Sequence, residues 1–267
     1  MDKTLSDELR SFSGIWPGGY YEGDPMAPLS VSSYGQCGFV SVPYAIYLSC
    51  IRPYVTGDTV SLEIGPGRGA WTKCLLRANH VWVMDAVSEQ ENRFFEYLGH
   101  PRNVTYIHVH DFSCDDLPPD TVTYMFSFGC LCHVSPVGVR EYARNLFPKL
   151  KSGCECFWMV SDYALRNRTA MSIEDVSVWR AVRKLLPPGR KSRLIGRVLD
   201  FEMRREQRLT HNQHIMPPER DSGPNPGRWY DLGLDACIRL LEECGYEIVE
   251  ANVGASLRDP IVHFRKP

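Results

Sequence analysis

The residues best suited to chemistry stand together at Glu63-Ile-Gly65-Pro-Gly67-Arg-Gly69, after a short apolar run and ahead of a helix-like segment. Glycines so spaced permit a tight turn and let a ligand approach backbone N–H groups. The positive end of the following helix would lie beside that ligand. GPGRGA also fits the dinucleotide pattern G-x-G-x-x-G/A, with Asp85 at about the right distance behind it. Plainer roles stay open: a strand–helix turn for the glycines, capping or ion pairing for Glu63, and a helix N-cap for Asp85.

The surrounding elements must hold these residues. TVSLEIG, HVWVMD, VTYIHVH, VTYMFSF and CECFWMVSD read as five strands. GAWTKCLLRA, SEQENRFFEYLG and GVREYARNLFPKL read as helices between them. A further helix is expected over about Phe39–Arg52. Short β-rich runs alternating with helices predict an α/β fold, a doubly wound and mostly parallel sheet covered on both faces. The alternation stops after Asp162 and resumes with LDACIRLLEECG, YEIVEANVG and PIVHFRK. The expected organisation is a cap segment at 1–57, a core at 58–162, a helical lid inserted at 163–228, and a helix and strands at 229–267 that complete the core.

With the elements in place, E-x-G-x-G-x-G resembles the first motif of class I S-adenosylmethionine (SAM)-dependent methyltransferases. The resemblance implies a seven-stranded Rossmann-like sheet and SAM as cofactor. Glu63, Gly65, Gly67 and Gly69 match the motif, and Asp85, ending HVWVMD, matches the family's ribose-binding carboxylate. Asp111 resembles the acidic contact to the adenine amino group, with Phe112 beside the ring, although HDFSCDD is turn-rich enough to make Asp111 an ordinary turn residue. Phe128, in Ser127-Phe128-Gly129, falls where the family flanks the methyl donor. The last helix and strands resemble the family's reversed sixth and seventh strands. EIGPGRGAWTK and GRWYDLG are also similar to bacterial methyltransferases of sugar- and polysaccharide-modifying pathways, which favours a hydroxyl acceptor on a small polar molecule.

A hydroxyl acceptor needs its proton removed. His133, in FGCLCHVSP, is the candidate base because imidazole titrates near neutrality; capping the next helix is its plainer role. Asp162 would orient that base or bind substrate, or would cap the next segment. His108 and His110 alternate along one strand face and are weaker candidates. Cys130-x-Cys132-His133 invites a metal reading, but a structural zinc site wants four ligands, and no metal is expected. Tyr20, Tyr21 and Tyr34, with Trp16, would close over the SAM or substrate pocket. Arg204, in MRREQR, would clamp a phosphate or carboxylate on the acceptor, unless that run is a solvated helix face.

Composition narrows the partners. The chain has 267 residues, 43% of them apolar, which is enough to bury a core without staples. No apolar run reaches bilayer-spanning length, and the charged start MDKTLSDELRSF lacks a signal peptide's apolar stretch. The expected setting is cytoplasmic, with the ten cysteines reduced. Residues 163–228 carry 14 Lys and Arg against 7 Asp and Glu, on a chain of net charge −2. Even so, the acidic body and the missing Asp/Asn-Pro-Pro-aromatic signature argue against nucleic acid. The partners expected are a small-molecule acceptor and, in a homodimer, a second copy of the chain. Methylation of nitrogen, nucleic acid or protein is the alternative, and a nicotinamide oxidoreductase stands behind it.

Overall fold

Strands rich in Val, Ile, Phe and Trp that are apolar on both faces can be buried only in a sheet covered from two sides. The computed structural model shows this. It describes residues 5–12, 14, 16–21, 23–30, 36–37, 39–162, 230–254 and 259–267. A short helix α1 (Leu5–Arg10) leads to a small hairpin, β1 (Gln36–Cys37) and β2 (Val40–Ser41). The helix expected over Phe39–Arg52 is α2 (Val42–Ile46), continued by a π-helical turn over Tyr47–Ile51.

The main sheet follows: β3 (Val60–Ile64), β4 (His80–Asp85), β5 (Val104–His108), β6 (Val122–Ser127), β7 (Leu150–Met159), β8 (Glu247–Glu250) and β9 (Ile261–Arg265). Between them run α3 (Thr72–Leu75), α4 (Phe94–Leu98), α5 (Pro136–Leu146) and α6 (Leu234–Glu243). The seven strands lie in the order β5-β4-β3-β6-β7-β9-β8. β9 pairs antiparallel with both β7 and β8, so it alone runs against the sheet. The reversal expected of the last two strands is thus one of order for both and of direction for β9 alone.

Two apolar layers sandwich this sheet. One gathers Leu62, Ile64, Met125 and Trp158 with α1, α5 and α6. The other gathers Val83, Phe126 and Phe157 with α2, its π-helical turn and α3. From β3 the chain winds outward through β4 and β5, then returns to add β6 and β7 on the other side. The order reverses between β3 and β6, and ligands in open α/β sheets bind in the crevice at the strands' carboxyl ends at such a point. Among the described residues, no helix is long and apolar enough to cross a membrane. The expected lid at 163–228 lies outside the described residues.

Candidate active site

A cavity of about 360 Å³ opens at that crevice. The turn after β3 supplies Gly65 and Gly67, the end of β4 supplies Asp85, and the segment after β6 supplies Gly129, Cys130 and His133. Sequence separates these groups, and the strand order brings them to one edge.

The glycine turn is shaped by its own chain. Gly65 has φ +74°, and a Cβ there would stand 2.3 Å from both Cβ and Sγ of Cys130. At Gly67, with φ +51°, a Cβ would meet the carbonyl oxygen of Tyr20 at 3.0 Å. Both positions need glycine for the left-handed backbone and for close packing. Much of the space expected for a ligand above these glycines is taken by Cys130 and Tyr20, although both glycines still touch the cavity. Burial pushes the Cys130 thiol well above its ordinary pKa, so it lines the cavity as a neutral group.

Glu63 stands behind the turn. It is buried, and the Thr72 hydroxyl donates to its Oε2 at 2.6 Å, bracing β3 against α3. Burial is the main reason its pKa is pushed up to about 8; the Thr72 bond opposes the rise and the nearby Asp85 charge adds to it. Glu63 is absent from the cavity wall, so it supports the turn.

Asp85 does reach the cavity. Its Oδ2 accepts the Gly67 N–H at 3.2 Å and its Oδ1 accepts the Val87 N–H at 2.9 Å. Burial pushes its pKa up to about 6 against the lowering effect of these bonds and of Asn92. Asn92, also on the wall, donates to the Tyr106 hydroxyl at 2.9 Å and accepts the Gly19 N–H at 3.0 Å. Tyr106 donates in turn to the Val87 carbonyl at 2.7 Å. These bonds fix the end of β4 and tie the N-terminal segment across it.

His133 ends a 3-10 turn over Leu131–His133, and its N–H donates to the Cys130 carbonyl at 2.9 Å. Its ring meets Trp16 edge to face at 4.9 Å. Trp16, expected at the pocket, forms an apolar wall there with Leu9 and Phe12, which no motif announced. Leu5, Leu9, Phe12 and Trp16 nevertheless recur at helical spacing, and that was the readable signal. Tyr20 lies on the wall and its carbonyl accepts the Arg68 N–H at 3.1 Å.

Other expected site residues stand elsewhere. Asp111 is exposed beside a separate hollow of about 110 Å³ that His108 and His110 also line. Its Oδ1 accepts the Ser113 N–H at 2.9 Å, which holds its pKa below the usual range. Phe112 is buried against Tyr142, ring centroids 4.7 Å apart, and Phe128 packs on Trp71 at 5.0 Å in the other layer; neither lines the cavity. Both rings are taken into the apolar layers that flank the sheet, Phe112 on one face and Phe128 on the other. Asp162 caps α6: its Oδ2 accepts the Leu234 N–H at 3.0 Å, a role Gly233 at the N-cap has no side chain to play. Tyr21 is exposed and meets Tyr97 at 5.3 Å, away from the cavity wall. Tyr34 and Arg204 lie outside the described residues. Among the described residues, no three His, Cys, Asp or Glu side chains gather in a way that could hold a metal ion.

No family model matches this chain. No curated protein matches it either. Solved structures do. The N-methyltransferase NodS from Bradyrhizobium japonicum WM9 has 13% identity and a TM-score of 0.47, over 85% of this chain and 94% of that one. The mitomycin 7-O-methyltransferase MmcR has 14% identity and a TM-score of 0.49, over 86% of this chain and 55% of that one. The N,N-8-amino-8-demethyl-D-riboflavin dimethyltransferase RosA from Streptomyces davawensis has 15% identity and a TM-score of 0.45, over 78% of this chain and 50% of that one. At these identities the likeness is one of fold alone, a seven-stranded mixed sheet covered by helices.

Proposed function

We propose that this chain is a SAM-dependent methyltransferase acting on a hydroxyl of a small-molecule acceptor. The observation that carries the reading is the placing of Asp85, the glycine turn and His133 around one cavity at the sheet's switch point.

The residues fit the cofactor's parts. The Asp85 carboxylate accepts the Gly67 and Val87 N–H groups, and a carboxylate has about four lone-pair sites in all, which leaves capacity for ribose hydroxyls. Met84, Ala86 and Val87 line the cavity beside Asp85 and offer apolar contact for a base. Gly65 and Gly67 bring backbone to the cavity edge. When bound, SAM would supply a methyl group activated by a positively charged sulfur.

The chain's own share is positioning and proton handling. Trp16, Leu9 and Phe12 exclude water from one side of the cavity and help to orient the acceptor. His133 accepts the hydroxyl proton at an imidazole nitrogen. A phosphate or carboxylate on the acceptor would need a cation, which the sequence offers at Arg204.

The test is transfer from methyl-labelled SAM to a panel of hydroxyl and amine acceptors. Labelled ethers are expected, with His133→Ala slowing transfer by about 100-fold or more. Labelled amines alone, or an unchanged rate in His133→Ala, would defeat the assignment of O-methylation with His133 as base.

A further inference from the structure

One buried carboxylate fastens the N-terminal helix to the catalytic edge. Glu8 is 0% exposed. Its Oε1 accepts the Ser135 N–H at 2.7 Å and its Oε2 accepts the Ser135 hydroxyl at 2.8 Å. Ser135 lies two residues beyond His133 and caps α5, its Oγ accepting the Gly138 N–H at 3.1 Å. Burying a carboxylate is costly unless it is hydrogen-bonded, and the start of α5 is where negative charge is favoured.

The same two segments meet a second time. The Trp16 N–H donates to the Phe12 carbonyl at 2.9 Å, and the Trp16 ring meets His133 edge to face at 4.9 Å. Residues 8–16 and 133–135 are therefore joined at both ends, by a charge-assisted bond pair and by a ring contact. Simple packing of α1 would not require a carboxylate there, because an apolar side chain could fill the place without the cost of desolvation.

We propose that Glu8 is a positioning residue: its bonds to Ser135 hold Trp16 against His133 and so fix the imidazole toward the cavity. Its functional meaning rests on the methyltransferase reading above. The latch itself does not.

The experiment compares wild type, Glu8→Ala, Glu8→Gln and Trp16→Ala by amide hydrogen exchange and by the His133 Cε1 proton resonance, assigned with His133→Gln. Glu8→Ala is expected to speed exchange across residues 5–16 by about tenfold or more, since a charge-assisted bond pair is lost. β3 and β6 should keep their protection. The His133 resonance should move toward its position in Trp16→Ala. Glu8→Gln, which keeps one acceptor oxygen, should fall between. Unchanged exchange together with an unmoved resonance in Glu8→Ala would overturn the proposal. Should Glu8→Ala lose protection throughout, Glu8→Gln decides: loosening confined to residues 5–16 supports the latch and none overturns it. Failure of the wild type to bind S-adenosylhomocysteine would sink the methyltransferase reading and leave the latch result standing.

Discussion

Asp85 Oδ2 accepts the backbone N–H of Gly67 at 3.2 Å, joining the end of β4 to the glycine turn after β3. Two adjacent parallel strands thus deliver one carboxylate and one backbone loop to the same cavity. The bond fixes the carboxylate while leaving it acceptor capacity.

Burial raises the Asp85 pKa from the ordinary 3.8 to about 6. A ligand whose hydroxyls donate to the carboxylate needs the charged form, so affinity should fall as pH drops through that value. S-adenosylhomocysteine is expected to bind about tenfold more weakly at pH 5 than at pH 7. Calorimetry across this range checks it, and Asp85→Asn should remove that pH dependence.

Glu63 gives stability a slope of its own. Its pKa rises from 4.5 to about 8, so between those values the native state holds a proton that the unfolded chain releases. The stability it contributes is full below pH 4.5 and is lost as pH rises through about 8. Asp85 adds a slope of the same sign between 3.8 and about 6. Denaturant melts of Glu63→Gln should be flatter than wild type over the Glu63 window. Parallel profiles would contradict this account of the buried carboxylate.

Gly65→Ala should destabilise the protein by about 2–4 kcal/mol, because a left-handed residue gains a side chain and that side chain meets Cys130. The contact is specific. In the Gly65→Ala background, Cys130→Gly should recover part of the loss, and a double-mutant cycle reads the coupling. Additive losses would mean that Cys130 does not fill this space.

Asp162→Ala should cost roughly 0.5–2 kcal/mol, as loss of a helix cap does. Affinity for S-adenosylhomocysteine should not change, because the carboxylate serves Leu234 at 3.0 Å and does not line the cavity. Paired melts and titrations separate this structural role from the catalytic one expected from its place at the strand end.

The fold was legible where burial imposes a pattern. HVWVMD is β4 residue for residue, since strands covered on both faces read as unbroken β-branched and aromatic runs. Helix lengths were not. SEQENRFFEYLG yields only Phe94–Leu98, because Ser88 and Glu91 bond each other in a turn and Arg93 takes φ +52°. In the site, Gly65, Gly67 and Asp85 were readable because their chemistry depends on residue type at fixed spacing. Phe112 and Phe128 were assigned from their place after a strand, but that does not tell which way a ring turns. Trp16 was legible as an aromatic ahead of the core, whereas Leu9 and Phe12 build the wall through shape alone, which many side chains could supply.

The most direct test of the account is calorimetric titration of the protein with SAM, S-adenosylhomocysteine and NAD(H), repeated on Asp85→Ala. The account predicts that both adenosyl ligands bind, that NAD(H) does not, and that Asp85→Ala weakens the binding by about tenfold or more, as the loss of charged hydrogen bonds should. Binding of NAD(H) in place of SAM, or SAM binding untouched by Asp85→Ala, would contradict it.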